Sequence, residues 1–512
     1  MKKSQGREVI VMDQILRHLP VLVIIIPLAS ALLCPAIGYF SRKISKKVVI
    51  ASLFVSTVLA SIQLIQVIKV GEPIHYYLGN WAPPIGIEFV IDGLNGTIIL
   101  LVAMVAFMTA LYASPIELLE RKIEVRSVGF YIILCLLAVG LMGMSSTGDA
   151  FNLYVFMEIV SLASYGLIAI GDNKAPVAAF RYLMIGTIGA SMYLLGIGFL
   201  YASTGTLNMA DMARLMPDLV SSPLITIAAA FILFGFGIKM ALFPLHDWQP
   251  GAYSNAHTGA APLIAGVGFK VPAYAMLRFM FCIFDETSPI METFLNIIGL
   301  MAVCGIIYGS LKALAHTTYN KILAYSSIGQ VGYIAMGFAI GNYYGIIGAV
   351  LHIVSHTFMK AGLFYASGAL KYKYGIKDIN DFGQIYRENP LTGLSLVIYA
   401  LSMVGLPPFA GFFSKWYLAL GAIEAGQYYY VAVLILSSLL GAIYFFRIIE
   451  KIFMEEKKAT ETGNVKSKVL ELPWQMITAL LVCAILVIAI GLGNSFIVNN
   501  VLSTTVMEVL LS

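Results

Sequence analysis

Three basic side chains recur at four-residue steps in the apolar stretch "LHIVSHTFMKAGLF", residues 351–364. On a helix, His352, His356 and Lys360 would lie along one face, because residues four apart are neighbours on the helix surface. If that helix crosses a membrane, each ionisable side chain is costly, and such residues usually have a function. The spacing therefore predicts a functional row inside an apolar helix.

Other ionisable residues stand deep in apolar runs and could act with this row. Burial favours the neutral form of a lysine and a nearby carboxylate favours the charged form, so a small movement of the partner can switch the charge. That property suits a proton pump. Glu158 is the only acidic residue deep in a span and is the expected partner of one lysine. The deep basic residues outside the row are Lys239 and Lys270, and Lys415 also lies inside a predicted span.

Three arginines lie closer to the predicted span ends. A long side chain there can extend to the lipid headgroups. We therefore expect a snorkelling role, and no role in transport, for Arg181, Arg278 and Arg447.

The composition predicts an all-α integral membrane protein. Hydrophobic residues make up 59% of the 512 residues and charged residues only 12%. The apolar runs are mostly about 18 to 25 residues long, enough for a helix to cross a bilayer. Short alternating segments, which a membrane barrel would need, are not seen. We predict about fourteen spans, centred near residues 30, 59, 103, 137, 160, 189, 234, 269, 302, 332, 357, 405, 440 and 484.

The basic residues of the connections predict the orientation, because Lys and Arg concentrate on the cytoplasmic side. They follow predicted spans 1, 3, 11 and 13. The loop 71–92, by contrast, carries Glu72, Glu88 and Asp92 and no basic residue. Both termini are therefore predicted outside, in the cell membrane. The basic residues are Arg42, Lys43, Lys46, Lys47, Arg121, Lys122, Arg126, Lys371, Lys373, Lys377, Arg387, Lys457, Lys458, Lys466 and Lys468. This topology explains the net charge of +5 without a nucleic-acid partner.

The sequence contains no pattern for a bound cofactor or metal. Its five cysteines are scattered, with no C-x-x-C pair for an iron–sulfur cluster or a zinc ion. Neither a phosphate-binding loop nor a dinucleotide fingerprint is present. Any redox or nucleotide chemistry would have to take place on a partner, so whether the chain belongs to an enzyme depends on that partner.

Prolines break two predicted spans next to ionisable residues. Pro244 follows Lys239 in "FGFGIKMALFPLHDW", and Pro407 and Pro408 precede Lys415 in "GLPPFAGFFSKW". Broken helices expose backbone groups at membrane depth and recur where transporters hold ions.

Taken together, these segments resemble a known family. The succession "NLYVFMEIVSLASY", "GFGIKMALFPLHDW", "LAYSSIGQVGYIAMG", "LHIVSHTFMKAGLFYASG" and "GLPPFAGFFSKW" is similar to the antiporter-like large subunits of Mrp cation/proton antiporters, respiratory complex I and membrane-bound hydrogenases. The similarity covers roughly residues 80–450. The resemblance implies fourteen helices with two inverted five-helix repeats, spans 4–8 and 9–13, each with a broken helix. The predicted units are 1–127, 128–285, 286–455 and 456–512.

The resemblance also implies roles for individual residues. Glu158 would pair with Lys239 in a first half channel. Lys270, His352, His356 and Lys360 would form a central hydrophilic axis, and Lys415 would end the second half channel. Obligatory membrane-subunit partners, redox subunits on the cytoplasmic side, and protons with sodium as a further candidate ion are likewise implied. The lysine precedes the proline in span 7 and follows it in span 12, so the halves do not align residue by residue.

Three classes of function remain open at this stage. The first is an ion-translocating subunit of an energy-converting complex, with the large subunit of a free-standing Mrp antiporter as the alternative. The second is an intramembrane metalloenzyme with His352 and His356 as ligands; it lacks the glutamate of the zincin motif, and Lys360 would repel a cation. The third is a solute carrier, although a row of ionisable residues suits protons better than a solute pocket.

Overall fold

The computed structural model describes residues 16–116, 127–171, 174–219, 221–284, 289–383, 385–454, 472–503 and 506. Twelve helices in these ranges are long and apolar enough to cross a membrane. Two further spans are each split into two shorter helices, which gives fourteen crossings. The all-α fold predicted from composition is confirmed. Seven of the basic loop residues lie outside the described ranges: Arg121, Lys122, Arg126, Lys457, Lys458, Lys466 and Lys468.

The N-terminal part holds three spans and a small hairpin. The spans are α1 (Leu19–Phe40), α2 (Arg42–Val70) and α3 (Gly93–Ala113). Strands β1 (Ile74–Tyr77) and β2 (Glu88–Ile91) pair antiparallel between α2 and α3, with Tyr77 opposite Glu88. Asp92 then caps α3 by accepting from the backbone N–H groups of Leu94 and Asn95. We call the side of the protein that carries β1 and β2 the hairpin face.

Spans 4–8 form the first five-helix set and spans 9–13 the second. The first set contains α4 (Ser127–Ser146), α5 (Ala150–Ala169), α6 (Ala175–Thr204), the connecting helix α7 (Met209–Leu219), α8 (Pro223–Lys239), α9 (Trp248–Asn255), α10 (Ala261–Val267) and α11 (Lys270–Arg278). The second contains α12 (Pro289–Leu314), α13 (Tyr319–Ile340), α14 (Tyr343–Tyr374), the short α15 (Ile385–Glu388), α16 (Pro390–Val404), α17 (Ala410–Glu424) and α18 (Tyr428–Met454). The chain continues with α19 (Trp474–Leu492) and α20 (Asn494–Ile497).

The two sets share the same internal plan. In each, the fourth span is the broken one: α8 and α9 in the first, α16 and α17 in the second. In each, a residue just before the second helix forms a β-bridge with a residue beyond the third, Asp149 with Asn208 and Thr318 with Asp378. Because five is an odd number of crossings, the second set begins on the opposite side of the membrane. The predicted pair of inverted repeats is confirmed, whereas the exact four-unit division stays a prediction.

Helix α14 runs through the centre of the protein, and its residues 345–366 are all buried. It packs against α13, α17, α10, α16 and α19. Small residues permit this close packing, as is common between membrane helices. At Gly348, for example, an added Cβ atom would lie 2.8 Å from the backbone nitrogen of Leu418 in α17. The predicted row on α14 is therefore buried by its neighbours and faces no lipid.

Both broken spans change direction at residues that cannot continue a helix. Helix α8 ends at Lys239, and Ala241 adopts a left-handed conformation with φ of 60° three residues before Pro244. Helix α16 ends at Val404, where Gly405 has φ of 92° and Pro407 and Pro408 follow. Proline lacks an N–H group and disfavours helical geometry in the preceding residue, so these breaks are encoded locally.

Candidate proton-translocation site

The first part of the site pairs a carboxylate on α5 with a lysine at the end of α8. Lys239 Nζ lies 3.9 Å from Glu158 Oε1 and donates a hydrogen bond of 2.6 Å to Ser161 Oγ. The Lys239 side chain is 3% exposed and the Glu158 side chain 31%. Lys239 is the last residue of α8, where the helix dipole favours a positive charge. The two residues predicted to pair are thus adjacent.

Lys270 is the first residue of α11 and is completely buried. Its ammonium group donates to the carbonyl oxygens of Ala265, at 3.1 Å, and Gly266. These carbonyls belong to the last turn of α10, and a turn at residues 268–269 separates the two helices. Span 8 is therefore interrupted as well, a break that the sequence analysis did not predict. Carbonyls at a helix C-terminus lack intrahelical donors, so they are suitable acceptors for an ammonium group.

His352 is hydrogen-bonded at both ring nitrogens. Nδ1 lies 2.9 Å from Ser414 Oγ on α17, and Nε2 lies 2.9 Å from Gln330 Oε1 on α13. The ring is completely buried and also makes an edge contact with Tyr333 at 5.3 Å between centroids. These contacts fix the ring between the second and fourth helices of the second repeat.

His356 has a different environment. Its ring stacks on that of His352 with centroids 5.7 Å apart and lies 5.8 Å from the ring of Phe269. Neither of its ring nitrogens has a hydrogen-bond partner among the described residues, although the side chain is completely buried. Lys270 and Lys360 are both near enough for their charges to act on this imidazole. His356 is therefore a buried imidazole within range of two lysine charges, with no hydrogen-bond partner among the described residues.

Lys360, one turn beyond His356, reaches α13. Its ammonium group donates to the carbonyl oxygen of Leu323 and, at 2.8 Å, to Ser326 Oγ. The side chain is completely buried. The spacing of His352, His356 and Lys360 does place all three on one continuous face of α14, as the sequence predicted.

Lys415 lies at the break of span 12. Its ammonium group donates to the carbonyl oxygens of Val404 at 2.9 Å and Met403 at 3.3 Å, and to Ser438 Oγ at 3.0 Å. It also sits 5.0 Å from the centre of the Tyr333 ring, whose edge contacts His352. Tyr333 therefore connects the α14 row to Lys415.

Two of these lysines are bound in the same way. Lys270 and Lys415 bind the free carbonyl oxygens of an interrupted helix. The sequence indicates these lysines and His352, but not the side chains that contact them. Those partners are Ser161, Ser326, Gln330, Tyr333, Ser414 and Ser438. Gln330 could have been recognised, because it is a side-chain amide in the middle of a predicted span.

The three arginines differ from one another. Arg181 is exposed, as expected for a snorkelling residue. The expectation was wrong for Arg278, which forms an ion pair with Asp92 and donates to Tyr274 Oη at 3.0 Å. Arg447 donates to the backbone oxygens of Leu314 and His316 at the end of α12. Oxygen atoms of the protein thus bind the guanidinium groups of Arg278 and Arg447. The sequence alone could not show that these oxygens lie nearby.

A family model described as "NADH:quinone oxidoreductase/Mrp antiporter, TM" matches residues 147–441. The chain belongs to this family. All seven candidate residues, from Glu158 to Lys415, fall inside the matched region. The family segment also contains both broken spans and the bridges that mark the two repeats.

Individual relatives cover nearly the whole chain. NADH-quinone oxidoreductase subunit N of Desulforudis audaxviator (strain MP104C) is 44% identical over 95% of this chain and 98% of its own. The mnhD2 protein of Staphylococcus aureus (strain JH9), named as an antiporter subunit, is 31% identical over 93% of this chain and 94% of its own. A chain of the archaeal membrane-bound sulfane sulfur reductase, a respiratory membrane complex, superposes with a TM-score of 0.87 at 32% identity, covering 96% and 97% of the two chains.

Proposed function

We propose that this chain is the proton-translocating subunit of a multi-subunit energy-converting membrane complex, with sodium exchange as a linked activity. The observation that carries the proposal is the row of ionisable groups from Glu158 and Lys239 through α14 to Lys415. Its buried members are Lys239, Lys270, His352, His356 and Lys360. Each lysine of this row donates hydrogen bonds to neutral hydroxyl or carbonyl oxygens. These acceptors do not lock the amine in its charged form, so it can gain or lose a proton. The respiratory relatives support an energy-converting parent complex.

The chemistry of the row is proton exchange between neighbouring bases. Lys239 forms an ion pair with Glu158. Protonation or movement of the carboxylate would therefore make the charged form of the lysine less favourable. His356 would carry a proton between Lys270 and Lys360, and a buried imidazole without protein partners normally binds ordered water. Lys415 would exchange the proton at the break of span 12. Like charges repel along such a row, so a charge entering at one end favours loss at the other.

A neighbouring membrane subunit would complete the site at Glu158. The carboxylate lies on the same face of α5 as the exposed Phe151, Val155 and Leu162. A carboxylate facing lipid at this depth is costly, so a protein surface is the expected covering. We propose that redox subunits, where present, bind on the cytoplasmic side, opposite the hairpin face.

We assign the hairpin face to the outside of the cell. The basic residues Lys46 and Lys371 lie on the opposite face, where Lys46 Nζ donates to the Ser114 carbonyl at 2.6 Å and Lys371 Nζ to Thr258 at 3.1 Å. This assignment follows the preference of basic residues for the cytoplasmic side. Both termini would then lie outside.

The test uses the parent complex, purified by an affinity tag on this chain and reconstituted into vesicles. Lys239→Ala and Lys360→Ala should each abolish coupled proton movement while the complex still assembles. Lys43→Ala is the matched control, because Lys43 is an exposed lysine at the start of α2. Normal proton movement in either buried-lysine variant would overturn the proposal.

The same preparation tests the second candidate, the large subunit of a free-standing Mrp-type antiporter, which the mnhD2 relative favours. Co-purifying redox subunits with proton movement driven by electron transfer would support the first assignment. Small membrane subunits alone, with exchange driven by an imposed sodium gradient, would support the second.

A further inference from the structure

A large cavity opens on the hairpin face, away from the row on α14. Its volume is about 950 Å³, and it lies between the hairpin, α7 and the end of α11. Charged and polar side chains line its wall: Glu88, Asp92, Arg214, Tyr274, Arg278 and Cys282. The proposed proton row uses none of these residues.

Two carboxylates in the cavity are almost fully buried. Glu88 is 4% exposed; its oxygens accept a hydrogen bond of 2.7 Å from Asn208 Nδ2 and lie 3.0 Å from Nδ1 of His75. The His75 side chain is 48% exposed and stands at the rim. Hydrogen-bonding groups therefore lead from the surface to a buried carboxylate.

The second carboxylate, Asp92, is 7% exposed and connects this cavity to α11. Its charge is paired with Arg278, which also donates from Nε to Tyr274 Oη at 3.0 Å. Tyr274 Oη in turn lies 3.5 Å from the carbonyl oxygen of Ser145 on α4. The phenol is near enough to Asp92 to interact with its charge. Asp211 and Arg214 form a separate ion pair on α7.

Helix α11 connects Arg278 and Tyr274 at the cavity with Lys270 of the proton row. Lys270, Tyr274 and Arg278 follow one another at four-residue steps, so they share a helix face and rise by about 6 Å per step. The Lys270 ammonium group points towards Gly266, away from Tyr274. In this structure the lysine is thus turned away from the cavity.

We propose that the cavity is the outer port of the first repeat, through which protons pass between the outer solution and Lys270 by way of Tyr274 and Asp92. This proposal rests on the proposed function of Lys270. The Tyr274 hydroxyl, which donates to the Ser145 carbonyl in this structure, would turn to Asp92. It would then give its proton to the Asp92 carboxylate in the same step as it takes one from the Lys270 ammonium group, so that Lys270 becomes neutral, Tyr274 stays a phenol and Asp92 is protonated. Asp92 would release that proton to solvent. Arg278 stays protonated and positions the carboxylate.

With the Lys270 ammonium group bound to Gly266, the path between Lys270 and Tyr274 is closed in this structure. A pump must not connect both sides of the membrane at once, since a continuous path would allow protons to leak back. A lysine has a flexible stem of four carbons. Rotation of that stem from Gly266 towards Tyr274 would open the port on one side only.

Cys282 permits a labelling test on the protein with its own sequence. Its sulfur lines the cavity and lies 3.8 Å from Arg278 Nη1. Cys34, Cys135 and Cys483 are buried, and Cys304 is on α12, away from the cavity. A charged, membrane-impermeant thiosulfonate added to the outer side of vesicles that contain the parent complex should label Cys282 and reduce proton translocation at least tenfold. Cys282→Ser, which keeps a polar partner for Arg278, should make translocation insensitive to the reagent.

Three results would overturn the proposal: no labelling from the outer side, labelling from the inner side only, or full labelling with unchanged translocation. Tyr274→Phe is the second variant; it removes only the hydroxyl and should slow translocation at least tenfold. Tyr201→Phe, at an exposed tyrosine on α6, is its control. Full activity in Tyr274→Phe, combined with loss of activity in Lys360→Ala, would disprove the port and leave the proposed function intact.

Discussion

The rings of His352 and His356 are nearly parallel, with centroids 5.7 Å apart and an interplanar angle of 8°, but only His352 is hydrogen-bonded at its nitrogens. The two residues should therefore respond differently to substitution. His352→Ala removes the partner of the buried Gln330 Oε1 and one of the two hydrogen bonds of Ser414, and should cost about 1–3 kcal/mol of unfolding free energy. His356→Leu removes a polar group that lacks a protein partner, so stability should be nearly unchanged while proton translocation is lost. Thermal unfolding and vesicle assays of the purified complex measure the two effects, and equal destabilisation by both variants would contradict this account.

Gly405 permits the contact between Lys415 and the end of α16. Its φ of 92° is unfavourable for other residues, and an added Cβ atom would lie 3.0 Å from Lys415 Cδ. Gly405→Ala should lower stability by about 1 kcal/mol or more and should slow translocation by displacing the ammonium group from Val404. Gly426→Ala is the matched control, because Gly426 has φ of 69° with no atom within 4 Å of an added Cβ. Equal translocation in the two variants would show that the lysine contact is not needed.

The Asp92–Arg278 pair should behave as a coupled unit. Arg278→Gln leaves a nearly buried carboxylate without its counter-charge and should cost about 3–5 kcal/mol. Asp92→Asn keeps the cap on α3, since asparagine is also a good N-cap residue. The double variant should therefore recover part of the loss. A double-mutant cycle from denaturation midpoints measures the coupling, and additive single effects would argue against a direct pair.

His316 lies in the connection between α12 and α13 and gives a pH prediction. Partial burial, and then the nearby charges of Lys321 and Lys312, lower the pKa of its imidazole. The folded state thus disfavours the protonated form. Stability from the neutral ring is present above the ordinary histidine pKa of about 6.5 and decreases as the pH falls below it. The melting temperature of the complex should decrease less between pH 7.5 and pH 5.5 in His316→Gln than in the unmodified protein; an identical decrease would exclude this residue as a cause.

The sequence was sufficient for much of the fold, for local reasons. Apolar runs long enough to cross a bilayer encode the spans, and Pro244, Pro407 and Pro408 encode the two breaks. Four-residue spacing places His352, His356 and Lys360 on one helix face whatever surrounds the helix. The break between α10 and α11 was missed. Gly266, Gly268 and Pro272 stand at or beside the turn at residues 268–269, but no polar connection interrupts the apolar run there.

The partners of the ionisable residues depended on the tertiary structure. Ser161 and Lys239 are 78 positions apart, and Asp92 and Arg278 are 186 apart. No local pattern encodes such contacts, because they arise only when the helices pack. For the same reason, Arg278 was wrongly expected to snorkel. The sequence by itself determined which ionisable side chains lie within the spans of this protein and on which helix faces they lie. Only the packing of the two repeats around α14 decided which oxygens bind those side chains, since that requires residues far apart in the chain to meet.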